Sequence, residues 1–201
     1  MEAKEMKKFI TFEGIDGSGK TTILHLVADK LRENGFNVIE TFEPTDTWLG
    51  DNVKKCIEED TDPFITTFAF IADRIQHGKQ IEEWLREGRI VLCDRYVDST
   101  YAYQGVQLRK YMKQPIKWLK ELSSNIPIPD RTFLFILDPK EALERIQSRE
   151  NLIPFEKISF LTKVQENYEK LAEEDKRFMI IDASKTIDEI VDICYRDIVK
   201  G

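Results

Sequence analysis

Eight consecutive residues, Gly14-Ile15-Asp16-Gly17-Ser18-Gly19-Lys20-Thr21, fit the pattern GxxxxGK followed by Ser or Thr. Each residue type has a task on a polyphosphate. The glycines let successive backbone N–H groups curl into an anion nest at a helix N-terminus. Lys20 offers a point charge to the β- and γ-phosphates, and the Thr21 hydroxyl can ligate Mg²⁺. An apolar run precedes the motif and an amphipathic one follows it, which is the strand-loop-helix setting that the motif needs. The plainer alternative is a Gly-rich turn that simply joins a strand to a helix. The segment implies binding of a nucleoside triphosphate with Mg²⁺. A second pair, Asp94 and Arg95, follows the apolar run Ile90 to Cys93. It lies at the C-terminal edge of a central strand, where α/β sheets hold their ligands, although an exposed Asp-Arg pair would read the same.

A phosphate loop leaves GTPases, motor ATPases, transporters and small kinases open. The Asn-Lys-x-Asp signature of guanine readers is absent, and the third strand ends in Asp94-Arg95-Tyr96 rather than in DxxG. An LSGGQ-like transporter signature is absent too. A small nucleotide or nucleoside kinase remains.

The elements that must position these residues follow from periodicity and punctuation. Strands are expected at Phe9–Glu13, Phe36–Phe42, Ile90–Cys93, Thr132–Leu137 and Phe178–Ile181. Helices are expected at Lys20–Asn34 and Thr66–Glu87, each closed by a glycine (Gly35, Gly88), and at Val97–Lys110 and Ile116–Ser123. Three more are expected at Pro139–Arg149, Phe155–Glu174 and Ile187–Val199. The charged start, Met1 to Lys8, is expected to fray. Strands alternating with helices imply βαβ crossovers, hence an α/β fold with a parallel sheet covered on both faces.

The chain has 201 residues, enough for one domain (1–201) with a single core. Hydrophobic residues make up 41% and charged residues 33%, and 30 Lys+Arg against 37 Asp+Glu give a net charge of −7. That balance disfavours broad binding to nucleic acid or to anionic membrane. No apolar run approaches the roughly 20 residues of a membrane span, and no signal-peptide core is visible. The three cysteines (Cys56, Cys93, Cys194) lack CxxC spacing, so neither a disulfide framework nor a zinc site is expected. A cytoplasmic location is the expectation.

At this point the sequence resembles the thymidylate kinases, P-loop enzymes that phosphorylate dTMP. The resemblance runs through FEGIDGSGKTT at 12–22, EPTDT at 43–47, FIADR at 70–74, DRYVDSTYAYQG at 94–105, the 145–157 region and DASKTI at 182–187. It implies a five-stranded parallel kinase sheet, ATP as donor with Mg²⁺, small-molecule nucleotides as the only partners besides a second copy in a homodimer, and a place in dTTP biosynthesis. The resemblance extends the ATP-binding set from Gly14 through Thr22.

By resemblance, Phe70 stacks on the thymine ring and Arg74 hydrogen-bonds the base. Their i, i+4 spacing puts both on one helix face, so a stack and an edge contact from one helix are coherent. Phe70 alone would equally suit ordinary core packing. Arg95 resembles the residue holding the acceptor phosphate, and Asp94 the one orienting the Mg²⁺ shell or the attacking phosphate. Tyr103 resembles the tyrosine that crowds the sugar 2′ position, and Asp16 the carboxylate that reads the 3′-OH. Ser99, Thr100 and Gln104 are weaker candidates for the same pocket. Glu43 and Pro44 lie in the EPTDT stretch, which resembles the loop that closes over the acceptor phosphate. Many relatives carry a basic residue just before that Glu-Pro, where this chain has Phe42.

Phosphoryl transfer develops charge on the equatorial oxygens, where an arginine is worth on the order of 10³–10⁵ in rate. Some members of the family carry it in the phosphate loop at the position of Gly17. Its absence there implies supply from a lid, expected at about 149–154. In many such relatives an arginine directly precedes the Phe-Glu of the next helix, and here that residue is Pro154. Arg149, Arg145 and Lys157 are then the candidates, with Arg149 as lid cation and Arg145 in support. Arg149 also resembles the arginine that packs on adenine. Arg145 and Arg149 at i, i+4 would equally suit a solvated helix face. Ala183, Ser184 and Lys185 are expected near the adenine.

Blander roles suit the rest. Cys93 reads as a small core hydrophobe, His25 and His77 as solvated or partly packed, and Glu166 to Asp175 as a solvated face. Trp48, Trp84 and Trp118 are assigned no ligand. Three other readings stay open: a kinase for another pyrimidine monophosphate such as dUMP, a nucleotide-binding regulator without turnover, and a nucleic-acid-dependent ATPase.

Overall fold

The computed structural model describes residues 6–147 and 155–200. Five apolar runs become the strands β1 (Lys8–Gly14), β2 (Val38–Phe42), β3 (Ile90–Asp94), β4 (Arg131–Ile136) and β5 (Phe178–Asp182). They pair in parallel in the order β2-β3-β1-β4-β5, forming one sheet. Parallel neighbours need long crossovers, and helices supply them. These are α1 (Lys20–Glu33), α2 (Trp48–Glu58), α3 (Pro63–Arg86), α4 (Val97–Gln107), α5 (Pro115–Leu122), α6 (Pro139–Gln147), α7 (Phe155–Glu174) and α8 (Ile187–Lys200). Leu108–Lys110 adds one 3-10 turn after α4.

Alternation along β1 sets the two faces of the sheet. Ile10 and Phe12 pack with Ile23, Leu24 and Val27 of α1 and with Ile190 and Cys194 of α8. Phe9 packs on the other side with Ile81 of α3, Tyr96 and Leu119 of α5. Glu13 has the parity of Phe9 and Thr11, so this carboxylate leaves β1 toward the α3–α4 side. Register then levels the functional ends: Phe12 is paired with Asp94 on β3 and with Phe133 on β4. The phosphate loop and the Asp94-Arg95 pair therefore leave adjacent strands at the same edge of the sheet.

Three local expectations need correction. The sequence reading assigned no element to 48–58, where α2 forms, capped by Thr47 and burying Val53. Helix α3 starts at Pro63 rather than Thr66, because Asp62 caps it by accepting from Phe64 N at 2.8 Å, and proline suits the first helical position. Lys8 does not fray: it opens β1, and its ammonium donates to the Ile198 carbonyl at 2.7 Å.

Candidate active site

Between β1 and α1 the chain turns through Gly19 in the left-handed region (φ 87°), and no side chain caps α1. The first-turn N–H groups are left for an external acceptor, and the helix dipole makes an anion the preferred one. Ser18 Oγ donates to the Ile15 carbonyl at 2.8 Å, and Lys20 Nζ donates to the same oxygen at 2.9 Å. Burial pushes the Lys20 ammonium down to about 8; Arg95 adds to the shift, while Asp16, Asp94 and Glu13 oppose it. Thr21 and Thr22 are exposed on the first turn. At Gly17 (φ +85°) a Cβ would overlap the Ala142 carbonyl of α6. The backbone contact explains why this loop carries no side chain, and hence no arginine, at that position.

The Thr21 hydroxyl donates to Asp94 Oδ2, and Asp94 Oδ1 is buried without a partner. A hydroxyl beside an orphaned carboxylate oxygen is a donor set that suits a hard, oxygen-ligated divalent cation sharing its shell with phosphate. Among the described residues no cluster of three His, Cys, Asp or Glu could hold a metal by itself.

Arg95 has a left-handed backbone (φ 65°), and its N–H donates to the Phe12 carbonyl at 3.0 Å. Its guanidinium donates to Asp16 Oδ1 at 2.5 Å and to Ser99 Oγ at 3.1 Å, and lies 5.3 Å from the Tyr103 ring centroid. Arg95 in turn holds the Asp16 carboxyl below the usual carboxylate range. Burial pushes the Tyr103 hydroxyl up to about 12, so it stays a neutral phenol.

Helix α3 carries a second ionic unit. Arg74 Nε donates to Glu43 Oε2 at 2.8 Å, and its Nη2 lies 2.7 Å from the same oxygen and 3.2 Å from the Tyr96 carbonyl. Its Nη1 is buried and has no partner. His77 Nδ1 lies 2.9 Å from Glu43 Oε1, and its Nε2 lies 2.7 Å from Thr41 Oγ1. Asp73, also on α3, accepts from Thr45 N at 2.9 Å and from Thr45 Oγ1 at 2.5 Å, which ties the 43–47 loop to the helix.

These groups surround a cavity of about 690 Å³. Asp16, Glu43, Pro44, Phe70, Arg74, Arg95, Ser99, Tyr103 and Gln104 all line it. Thr100 does not; it is buried on α4 with its hydroxyl unpartnered. Lys157, Phe160 and Leu161 border the cavity from α7, and Leu143 and Ile146 from α6. Arg145 is not part of that lining: it donates to the Ala183 carbonyl and to Glu141 Oε1, joining α6 to the turn after β5. Arg149 and the 149–154 segment lie outside the described residues.

A family model described as thymidylate kinase matches residues 12–193. The chain belongs to the thymidylate kinase family. Among similar curated proteins, the probable thymidylate kinase of Methanosarcina barkeri is 46% identical over 187 residues, which is 89% of each chain. That of Methanococcoides burtonii is 44% identical over 186 residues, covering 91% and 92%. The probable thymidylate kinase of Staphylothermus marinus is 38% identical over 195 residues, covering 96% and 92%.

Against this thymidylate kinase fold, sequence reasoning missed three buried groups beside the cavity. His77 is neither solvated nor only partly packed, but 3% exposed and bonded at both ring nitrogens. Its i, i+3 relation to Arg74 was the available signal. Asp73 precedes Arg74 and fastens the loop. Glu13, directly before the phosphate loop, is fully buried, and only its charge within an apolar strand marked it. His25, by contrast, is exposed and paired with Glu40.

Proposed function

We propose that the protein transfers the γ-phosphoryl group of ATP, with Mg²⁺, to dTMP, giving dTDP and ADP within dTTP synthesis. One observation carries the acceptor assignment. Three N–H donors of Arg74 are turned toward Glu43 and the Tyr96 carbonyl, while Nη1 is buried without a partner, and Arg74 and Phe70 both line the cavity. An unpaired buried guanidinium nitrogen calls for an acceptor, and a carbonyl oxygen at the edge of a flat ring stacked on Phe70 supplies it. Thymine and uracil offer that oxygen at C4, whereas cytosine offers an amine.

In this reading the N-terminus of α1, Lys20 and the glycine backbone hold the ATP phosphates. Thr21 and Asp94 would hold Mg²⁺, which when bound would neutralise phosphate charge. Arg95 aligns the acceptor phosphate, Asp16 engages the sugar 3′-OH, and Tyr103 crowds the 2′ position. The attacking oxygen is already ionised at neutral pH, so the work is positioning and electrostatics. Arg149 is the proposed lid cation, with Arg145 in support through its hold on the Ala183 turn.

We further propose a homodimer in the cytoplasm. Ile65, Phe68 and Ile75 of α3 are all exposed, at 57%, 52% and 47%, on one face of that helix. An apolar stripe of that kind is suited to self-association. Among the described residues no helix is long and apolar enough to cross a membrane.

The deciding experiment is ADP release from ATP-Mg²⁺ with dTMP, dUMP, UMP, CMP, AMP and GMP supplied singly. Turnover is expected to be fast with dTMP, weaker with dUMP and negligible with UMP or CMP. No turnover with any acceptor, despite ATP binding, would overturn the enzyme reading.

A further inference from the structure

Among the described residues, Glu13 is the most heavily hydrogen-bonded side chain at the site. Its carboxylate accepts from Tyr96 N at 2.8 Å, Ser99 N at 3.3 Å, Ser99 Oγ at 2.6 Å and the Tyr168 hydroxyl at 2.9 Å. Four donations to one carboxylate, from the β3–α4 segment and from α7, use its acceptor capacity fully. Such an arrangement is costly to bury unless every bond is made.

The direction of these bonds matters. Arg95 Nη1 donates to Ser99 Oγ at 3.1 Å, so the serine must present a lone pair to the guanidinium. It can do so while its own hydrogen is taken by Glu13. The chain of donation runs Arg95 to Ser99 to Glu13 and fixes one arm of the arginine, while Asp16 fixes the other. Tyr168 lies on α7, which also brings Lys157 and Phe160 to the cavity wall. One carboxylate thus connects the arginine at the cavity with the helix that follows residues 149–154.

We propose that Glu13 is a positioning residue for phosphoryl transfer: through Ser99 it orients Arg95 toward the acceptor phosphate, and through Tyr168 it keys α7 to that same position. The inference rests on the kinase reading above and deepens it. Glu13 touches no reacting atom in this scheme.

Protonation supplies a readout. Burial, and then Asp98, push the Glu13 carboxyl up to about 7, against the opposing pull of Ser99, Arg95 and the Tyr96 N–H. The charged and titratable groups facing it are Cys93 on β3, Arg95 and Asp98 after β3, Lys20 from α1, Arg74 from α3 and Tyr168 from α7. Asp98 itself is held by Arg177 at 2.7 Å. A proton on Oε2 reverses one of the hydroxyl bonds, because both hydroxyls now donate to that oxygen.

The test compares wild type, Glu13→Gln, Ser99→Ala and the double variant between pH 6 and pH 9. It records kcat, KM for dTMP, KM for ATP, and dTMP binding by calorimetry. Each single change is expected to lower kcat/KM for dTMP by about tenfold to a hundredfold, with KM for ATP within about twofold. The double variant is expected to lose no more than the worse single one, since both cut the same chain. Wild-type kcat/KM is expected to rise through about pH 7, and Glu13→Gln to lose that limb. The acceptor phosphate's own ionisation, near pH 6, persists in both. A folded Glu13→Gln protein with wild-type kinetics and pH profile overturns the proposal, as do additive losses in the double variant. If Glu13→Gln does not fold, Ser99→Ala decides, because it leaves Tyr96 N and Tyr168 on the carboxylate. A wild-type protein that neither binds nor turns over dTMP defeats the kinase reading, and this proposal with it.

Discussion

The guanidinium of Arg95 reaches across from the end of β3 and meets the carboxylate of Asp16 in the phosphate loop at 2.5 Å. The two residues lie 79 positions apart. Their contact closes the gap between the ATP-side loop and the cavity where the acceptor is proposed to sit. Each is thereby set by the other: Asp16 is kept ionised by Arg95, and one arm of Arg95 is fixed by Asp16 where it lines the cavity.

Asp16→Asn keeps the shape and removes the charge. KM for dTMP is expected to rise about tenfold, the scale of one hydrogen bond to a charged group. The preference for dTMP over its 3′-deoxy analogue is expected to shrink toward unity in steady-state kinetics. Arg95→Lys loses the two-armed geometry and is expected to lower kcat about a hundredfold or more. An unchanged 3′-deoxy preference in Asp16→Asn would remove the sugar-reading role.

Glu43 lies between Arg74 and His77 with its side chain only 2% exposed. Its two oxygens contact those partners, and it holds Arg74 at the cavity wall. Removing one partner of a buried ion pair leaves the other uncompensated, at a cost of about 3–5 kcal/mol. Glu43→Ala is therefore expected to lower the urea midpoint strongly. His77→Phe, which keeps the volume but not the bond, is expected to raise KM for dTMP several-fold with little change in kcat. In an Arg74→Met background the effect of His77→Phe on that KM is expected to vanish.

Legibility from sequence followed the range of the interaction. The phosphate loop, the i, i+4 pair Phe70 and Arg74, and Asp94-Arg95 are local patterns, and all but one of the acceptor candidates they led to line one cavity. The five strands were readable because buried parallel strands are short continuous apolar runs. Helix α2 was not, since only Gly50 and Val53 on it are fully buried and its cap, Thr47, also looked like part of a loop motif. Glu13 and His77 depend on partners 34 to 155 residues away, and no spacing rule shows those. The direction of the Glu43 carboxylate is likewise set by α3, and a Glu-Pro dipeptide cannot announce it.

The raised Glu13 carboxyl also predicts a stability profile. The native state holds this proton up to about pH 7, whereas an unfolded chain releases it near 4.5. This group's contribution is therefore fully present below pH 4.5 and is lost as pH rises to about 7. Wild type minus Glu13→Gln, measured as unfolding free energy, is expected to fall across that window by up to a few kcal/mol and then level off. A difference that stays flat from pH 5 to pH 8 would show that the carboxyl titrates normally.

The exposed stripe on α3 tests the proposed dimer. Phe68→Glu and Ile75→Asp place charge on the face that would be buried between two copies. Sedimentation at micromolar concentration is expected to show a dimer for wild type and a monomer for the double variant. Because α3 also carries Phe70 and Arg74, the monomer is expected to show a raised KM for dTMP. A wild-type monomer would leave the stripe without its proposed occupant.

The last prediction concerns where a catalytic arginine can come from. Some relatives hold one in the phosphate loop at the position of Gly17, so Gly17→Arg looks like a way to restore lost charge. The backbone argues otherwise. A Cβ there runs into the Ala142 carbonyl, and the loop at that residue has φ +85°, a region that side chains other than glycine's seldom occupy. Accommodating arginine means moving α6, which carries Leu143 and Ile146 at the cavity wall and Arg145 on the Ala183 turn. Gly17→Arg is therefore expected to lower both the thermal midpoint and kcat, even though it adds a positive charge beside the phosphates. Ala142→Gly does not relieve it, because the clash is with backbone. If instead kcat rises in Gly17→Arg while kcat of Arg149→Ala stays at the wild-type level, the loop rather than the lid is the natural seat of that charge.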